Sequence, residues 1–315
     1  MTGNGRLWCT AAVTWGVAAV MGMGVAVFAP QLLPQVGPSV AVAQPAPSGS
    51  PSVRRVGVLG APVGARSVAA DEEPGARQRA ADQAAEYARS RGWRTGIAVI
   101  DVTTGDRTYA GDAWGLYRTE SGVKLLIAAR LLAEGHLDGR TEPMARRMIT
   151  LSDDDAANSL YAAAGGDGVQ TWAAARYRIS RFGTPPVSGP GVWGSTQVTP
   201  AGMAAFLAAV KNDQRVGPWL TDAMSEMTVV AADGTNQIFG LRAADPGAVV
   251  KQGWGGDDVA SGHVEGTPSV GYVDRGRYAV AIYTTRLPET PLAQAQSVIS
   301  AQAKLLMPHG RMPTR

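Results

Sequence analysis

One stretch of sequence decides the interpretation of this chain: TESGVKLLIAA, residues 119–129, which places Ser121 three residues before Lys124 at the start of an apolar helix. Residues i and i+3 lie on one face of a helix, so the Lys124 ammonium can reach the Ser121 hydroxyl. We expect Thr119 to cap this helix, which puts Ser121 in a first turn that favours negative charge. A serine becomes nucleophilic beside a base, and a buried lysine can be that base. The pattern predicts either a nucleophilic serine or an ordinary capped helix with a surface lysine.

The composition excludes several classes of protein. The chain has 315 residues, 45% of them hydrophobic, enough for one sizeable domain or two small ones. A net charge of +3 without a Lys/Arg-rich run argues against nucleic-acid binding. Cys9 is the only cysteine, which excludes an intramolecular disulfide and a cysteine-ligated zinc site. The three histidines show no metal-ligand spacing, so we expect no metal and no cofactor: His136, His263 and His309.

Residues 1–75 differ from the rest of the chain and are expected to direct its export. Residues 7–29 are uncharged and almost wholly apolar, long enough to cross a bilayer of roughly 30 Å. They form either a cleaved signal peptide or a retained signal anchor. The small-residue pattern at 41–43 lies far beyond the apolar run, which favours the anchor, and Cys9 stands too early for a lipoprotein cleavage site. We predict a membrane anchor or signal segment at 1–29, a Pro/Ala/Ser-rich linker at 30–75 and an exported domain at 76–315.

The exported domain has the periodicities of an α+β fold. Helices are predicted over 76–91, 121–134, 148–160, 169–177, 200–210, 219–230 and 290–306. Strands are predicted over 95–102, 107–110, 248–254, 268–273 and 277–285. Since sequential strands pair, we expect one antiparallel sheet, built from both ends of the domain and flanked by helices, with an all-helical subdomain inserted.

The acidic triplet Asp153-Asp154-Asp155 follows Ser152 at the start of the predicted helix 148–160. One interpretation is structural: Ser152 caps the helix, Asp155 completes a short capping box, and the acids face the helix dipole. The other is that this segment belongs to a functional site.

Three motifs in order, Ser121-Gly122-Val123-Lys124, Ser152-Asp153-Asp154 and Lys251-Gln252-Gly253, resemble those of the penicillin-recognising serine hydrolases. Class A β-lactamases and the related bacterial D,D-peptidases are the most similar members. The resemblance covers residues 76–308 and rests on the order and spacing of the motifs and on the strand position of Lys251. It implies a β-lactamase/transpeptidase-like fold. Of the family motifs Ser-x-x-Lys, Ser-Asp-Asn and Lys-Thr-Gly, only the first is intact here.

The resemblance also implies roles. Ser121 would be the acylated nucleophile, Lys124 its proton acceptor, and Ser152 a relay towards the leaving group. The backbone N–H groups of Ser121 and Trp254 would form the oxyanion hole. The remaining positions would bind the substrate and its carboxylate: Asp154, Lys251, Gln252, Gly253 and Trp254.

Four departures from the family pattern bear on activity. Asp154 replaces a hydrogen-bond-donating asparagine, and its negative charge would hold Lys124 protonated. Gln252 replaces a threonine, although its amide can still donate to a carboxylate, and Trp254 puts a large ring beside the oxyanion position. The loop 181–199 contains no Asp or Glu to drive deacylation. Glu120 is a conceivable substitute, but a residue adjacent to the nucleophile on a helix is expected to point elsewhere.

These observations leave three hypotheses. The first is an exported, membrane-tethered serine hydrolase that acts on D-Ala-D-Ala-like peptides or slowly on β-lactams through a Ser121 acyl-enzyme. The second is a degenerate member that binds cell-wall peptide or a protein partner, in which Asp154 pairs with Lys124 or Trp254 fills the pocket. The third is a structural domain in which the motif residues lie far apart.

Overall fold

The computed structural model describes residues 75–186, 192–256 and 262–314. The predicted anchor at 1–29 and the linker at 30–74 lie outside these ranges, and the structural statements below concern the described residues. Within them, no helix combines the length and the apolar character that a membrane crossing requires.

The main sheet is antiparallel and is built from both ends of the domain. Its order is β2-β1-β9-β8-β6, and β7 pairs with the far part of β9. In the centre, Ile97 faces Ile282 and Val270 faces Ala281. The strands are β1 (Arg94–Asp101), β2 (Arg107–Gly111), β6 (Val249–Gln252), β7 (His263–Gly266), β8 (Ser269–Val273) and β9 (Tyr278–Pro291).

Helices cover both faces of this sheet. Alternate residues of β1 enter different cores: Ala98 and Ile100 pack with the helical subdomain, and Ile97 and Val99 pack with the terminal helices. The helices are α1 (Ala76–Arg89), α2 (Val123–Glu134), α3 (Thr141–Thr150), α4 (Asp154–Tyr161), α5 (Val169–Arg176), α6 (Pro200–Lys211), α7 (Gly217–Ser225), α8 (Leu241–Ala244) and α9 (Leu292–Leu306). A small second sheet consists of β3 (Tyr117–Arg118), β5 (Gln197–Val198) and β4 (Gly183–Thr184).

The predicted α+β architecture is confirmed, with differences at element boundaries. The predicted helix 148–160 is wrong at its start: the end of α3 and the break at 151–153 fall within it, and α4 begins at Asp154. Strand β7 was not predicted, and β9 continues to Pro291. Pro143 lies in the first turn of α3, where its missing N–H costs nothing. Helix α7 ends at Ser225, five residues earlier than the predicted 230.

Two predicted caps are wrong. The Thr119 side chain makes no capping hydrogen bond, and Ser121 lies in a 3₁₀ turn, Glu120–Gly122, that leads into α2. Helix α4 is capped by Asp153, whose Oδ1 accepts from Ala156 N at 3.0 Å. Ser152 has φ +53°, a left-handed conformation instead of the extended one of an N-cap. The Ser152 side chain is therefore free for the site described next.

Candidate active site

Four residues from separate segments form one chain of hydrogen bonds, which we name the buried relay: Ser121, Lys124, Ser152 and Lys251. Lys124 Nζ donates to Ser121 Oγ at 3.1 Å, to Ser152 O at 2.7 Å and to Ser152 Oγ at 3.3 Å. Lys251 Nζ donates to Ser152 Oγ at 2.8 Å. The fold thus brings the three motifs together, which contradicts the hypothesis of unrelated Ser and Lys residues.

The local structure explains how each relay residue is positioned. The 3₁₀ turn before α2 presents Ser121, and the first turn of α2 presents Lys124 one helical step away. Ser152 lies between α3 and α4, where its left-handed backbone aims the hydroxyl at both lysines. Strand β6 carries Lys251 to the same point.

Both lysines of the relay are completely buried. Burial lowers the pKa of Lys124, while the carboxylates of Asp154, Asp153 and Asp233 oppose this shift. Burial also holds the pKa of Lys251 well below its usual range, and the nearby Lys124 ammonium lowers it further. Burial and mutual repulsion therefore favour the neutral form of one of the two lysines, and a lysine must be neutral to act as a base.

Asp154 is bound directly to the proposed base. Its Oδ1 lies 2.5 Å from Lys124 Nζ, although the Asp154 side chain is 68% exposed. This is the salt bridge expected for the binding-only hypothesis. An ionised carboxylate at this distance favours the ammonium form of Lys124, and an ammonium cannot accept the serine proton.

Trp193 covers Lys124 from the other side. Lys124 Nζ lies 4.8 Å from the centroid of the Trp193 ring, and Trp193 Nε1 donates to Asn158 Oδ1 at 2.8 Å. Trp193 thus makes a cation–π contact with the Lys124 ammonium group.

Glu120 lies in the wall of the same cavity as Ser121, contrary to the expectation that it points elsewhere. The reason is its backbone, whose φ of +45° is left-handed and differs from that of an ordinary right-handed helical residue. Its carboxylate forms an ion pair with Arg118, at 2.9 Å from Oε1 to Nε. A side chain on Gly255 would overlap Glu120 Oε2 and would displace this carboxylate.

The backbone N–H group of Trp254 points away from the main-chain carbonyls that its two neighbours bind. The N–H groups of Gly253 and Gly255 donate to Pro268 O and Gly266 O, at 3.0 and 3.2 Å. Alternation along the extended chain directs the N–H of Trp254 to the opposite side. A Cβ built on Gly253 would lie 3.1 Å from Ser121 N, so the two segments are adjacent.

Gln252 does not face the cavity, which corrects its predicted role as a donor to the substrate carboxylate. Its Nε2 donates to Phe239 O at 2.5 Å and to Gln237 O at 3.3 Å, and the side chain is completely buried. Both N–H groups of the Gln252 amide are therefore used by main-chain carbonyl groups and are not available to a ligand. Lys251 is itself occupied by Ser152 and by Gln252 O at 2.9 Å.

Trp254 forms a wall of the pocket and does not fill it. Its Nε1 donates to Asp233 Oδ2 at 3.0 Å, and its ring packs edge-on against Phe239. A cavity of about 300 Å³ remains, lined by Arg118, Glu120, Ser121, Asp154, Val192, Trp193, Gly194, Asp233, Trp254, Gly255 and Gly256.

Arg118 and Asp233 were not predicted as site residues. Arg118 belongs to the two-residue strand β3, and Asp233 to the loop after α7. Neither stands in a motif, and only the three-dimensional fold brings them to Ser121. No cluster of His, Cys, Asp and Glu able to hold a metal ion occurs within the described ranges.

A model of the Beta-lactamase enzyme family matches residues 139–309, a range that includes Ser152 and Lys251. The chain belongs to this family. The predicted family and fold are thereby confirmed, and solved structures agree. The β-lactamase of Streptosporangium roseum has a TM-score of 0.56 at 19% identity, and TLA-3 extended-spectrum β-lactamase has 0.58 at 15%. An ancestral class A β-lactamase has 0.55 at 24%.

The structural similarity extends over the whole of these enzymes. It covers 72% of this chain and 97 to 98% of each of the three β-lactamases. Among curated proteins, "Putative lipoprotein LppW" of Mycobacterium tuberculosis and of Mycobacterium bovis is 28% identical over 266 residues. That match spans 80% of this chain and 80% of the relative.

Proposed function

We propose that this family member is an exported serine hydrolase that forms an acyl-enzyme at Ser121. The observation that carries the proposal is the buried relay, in which Lys124 Nζ lies 3.1 Å from Ser121 Oγ. A nucleophile and a base within hydrogen-bond reach are the geometric signature of covalent catalysis.

Each relay residue has a role in the proposed acylation. Neutral Lys124 accepts the Ser121 proton as Oγ attacks the carbonyl carbon of the substrate. Ser152, which bridges the two lysines at 3.3 and 2.8 Å, passes a proton to the leaving group. The N–H groups of Ser121 and Trp254 donate to the oxyanion. Lys251 raises the electrostatic potential around Ser152 and does not bind substrate directly.

The acyl donors suggested by the family are D-Ala-D-Ala-like peptides of the cell wall or, slowly, β-lactams. Turnover is expected to be slow, since the loop 181–199 supplies no carboxylate to activate a deacylating water. Glu120 is held by Arg118, and an ion-paired carboxylate is a weak base.

The second candidate is a binding protein without turnover, which the contact between Asp154 and Lys124 favours. In that case Lys124 stays protonated, and the cavity holds cell-wall peptide or a segment of a partner protein as a ligand.

We propose a location outside the cytoplasm, attached to the cell envelope. The support is the apolar segment 7–29 and the lipoprotein named among the relatives. The predicted attachment is a retained membrane anchor.

The test is the intact mass of the full-length chain, purified in a neutral detergent and incubated with benzylpenicillin. Opening of the lactam forms a bond from Ser121 Oγ to the carbonyl carbon and breaks the carbon–nitrogen bond, and the proton passes to the nitrogen. We expect one added drug mass on the parent protein and none on Ser121→Ala. An adduct would exclude the binding-only candidate. Unchanged protein with no loss of drug would remove β-lactams from the proposed substrates.

A further inference from the structure

The walls of the Ser121 cavity carry an unusual distribution of charge for a site expected to bind a carboxylate. Among the residues that the structure describes, three carboxylates line the cavity, those of Glu120, Asp154 and Asp233, together with one guanidinium, that of Arg118. Asp154 and Asp233 are exposed to solvent at its mouth, while Glu120 is buried in its wall.

The cations around the cavity are already committed to protein groups. Arg118 lies 2.9 Å from Glu120 Oε1 and 3.9 Å from Glu265 Oε2. The Lys124 ammonium binds Asp154, and Lys251 donates to Ser152 Oγ and Gln252 O. A carboxylate of a substrate would have to displace one of these partners.

Asp233 holds a fixed negative charge at the mouth of the cavity. Its Oδ2 accepts from Trp254 Nε1 at 3.0 Å, and its Oδ1 accepts from Thr235 N at 2.9 Å. Each oxygen keeps a second lone pair for a ligand. The side chain also acts on both relay lysines, since its charge opposes the lowering of the pKa of Lys124 and of Lys251.

The replaced family positions act in the same direction. Asp154 puts a carboxylate where the family has a neutral amide, and Gln252 has withdrawn its amide to Phe239 O and Gln237 O. Both changes remove a hydrogen-bond donor to an anionic substrate, and the Asp154 carboxylate also repels such a substrate. Charged walls act on approaching ligands as well as on bound ones.

We infer that this cavity favours acyl donors that carry a positive charge within reach of Asp233 and Asp154 and discriminates against those that carry a carboxylate there, which makes the peptides and β-lactams proposed above slow substrates. The inference rests on the proposed function, since it concerns the substrate of the Ser121 nucleophile. Asp233 and Asp154 are the residues that determine this preference. Cationic groups such as a quaternary ammonium or a free amine would lie against Asp233 and beside the Trp254 ring.

The test is a series of p-nitrophenyl esters that differ only in the far end of a six-carbon acyl chain. The neutral ester is the hexanoate, the cationic one the 6-(trimethylammonio)hexanoate and the anionic one the adipate monoester. The rate of p-nitrophenolate release is measured for the full-length chain in neutral detergent, and the rate with Ser121→Ala is subtracted as background. At low ionic strength we expect the cationic ester to acylate Ser121 about tenfold faster than the anionic one, with the neutral ester between them, and added salt to reduce the difference.

Charge variants identify the residue responsible. Asp233→Asn keeps an oxygen for the Trp254 N–H, and we expect it to reduce the cationic preference about threefold. Asp82→Asn removes another exposed carboxylate, on α1, and is expected to leave the preference unchanged. An unchanged preference in Asp233→Asn, or the same loss in Asp82→Asn, would overturn the assignment to Asp233.

A binding measurement separates this inference from the proposed function. Quenching of tryptophan fluorescence in Ser121→Ala is titrated with butyltrimethylammonium and with pentanoate. If no ester acylates Ser121, the proposed function fails, and tighter binding of the cation would still support the inference. If Ser121 is acylated but the anionic ester reacts fastest, or if pentanoate binds more tightly, the inference is wrong and the nucleophile stands.

Discussion

Two parts of the same site differ in how far they depart from the β-lactamase pattern. The buried relay keeps the serine and lysine residues of all three motifs, in hydrogen-bond contact. The rest of the site departs from the pattern: Asp154 stands where the family has an asparagine, the Gln252 amide binds main-chain groups, and Trp254 lies beside Asp233. The relay is what acylation at Ser121 requires, whereas these other residues decide which ligand enters and how often Lys124 is neutral.

A site can therefore lose one motif residue, here the asparagine of the second motif, and keep the hydrogen bonds between its serine and lysine residues. Removing one partner from a buried polar network leaves the others unsatisfied, which is costly. A change at an exposed position such as Asp154 avoids that cost. It can therefore alter the reactivity of Lys124 while the relay geometry persists.

Lys124→Met gives the largest expected effect. Methionine fills the space of the lysine stem but provides no base, so acylation of Ser121 should fall about 10³-fold, within the range typical of a lost general base. The check is the rate of p-nitrophenolate release from p-nitrophenyl hexanoate, with Ser121→Ala as the zero. A rate within tenfold of the parent would show that another group accepts the proton.

The pH dependence comes next. Lys124 is a base only when neutral, and Asp154 keeps its pKa above the value that burial alone would give. Acylation should therefore rise with pH, about tenfold per unit below the pKa of Lys124, and then level off. The rate is measured between about pH 6 and pH 9, where the fold is verified by circular dichroism. A flat or falling profile contradicts a lysine base.

Gln252→Met gives the smallest effect on chemistry. The Gln252 amide serves the main chain at Phe239 and Gln237, so its loss should destabilise the fold by about 1 to 2 kcal/mol. Acylation should stay within about twofold of the parent. Denaturant unfolding measures the loss of stability, and ester kinetics measure the acylation rate. A raised KM at unchanged stability would mean that the amide reaches the substrate after all.

Much of the architecture was predictable because it depends on local pattern. The alternation in 95–102 and the apolar run after Lys124 are strong signals, and Gly135 ends α2 in the left-handed conformation that glycine favours. The direction of the Gln252 side chain was not predicted, because it is set by hydrogen bonds to Phe239 O and Gln237 O, which belong to a distant part of the chain.

The rest of the site depends on tertiary contacts. Arg118 and Asp233 come from a two-residue strand and a loop, and nothing in their neighbours along the chain relates them to Ser121. The left-handed backbones of Ser152 and Glu120 are unusual for residues other than glycine, and their surroundings impose them. Such positions follow from the packed structure and not from propensity.

We infer that Asp154 slows acylation by the relay because its carboxylate favours protonated Lys124. The acylation rate of Asp154→Asn as a function of pH tests this directly, with p-nitrophenyl hexanoate as substrate and Ser121→Ala/Asp154→Asn as the blank. Asparagine restores a donor and removes the charge that favours protonated Lys124. We predict a rate at pH 7 at least about tenfold above the parent, and a midpoint shifted to lower pH. An unchanged rate and midpoint would contradict the claim, because Lys124 would then not be restrained by Asp154.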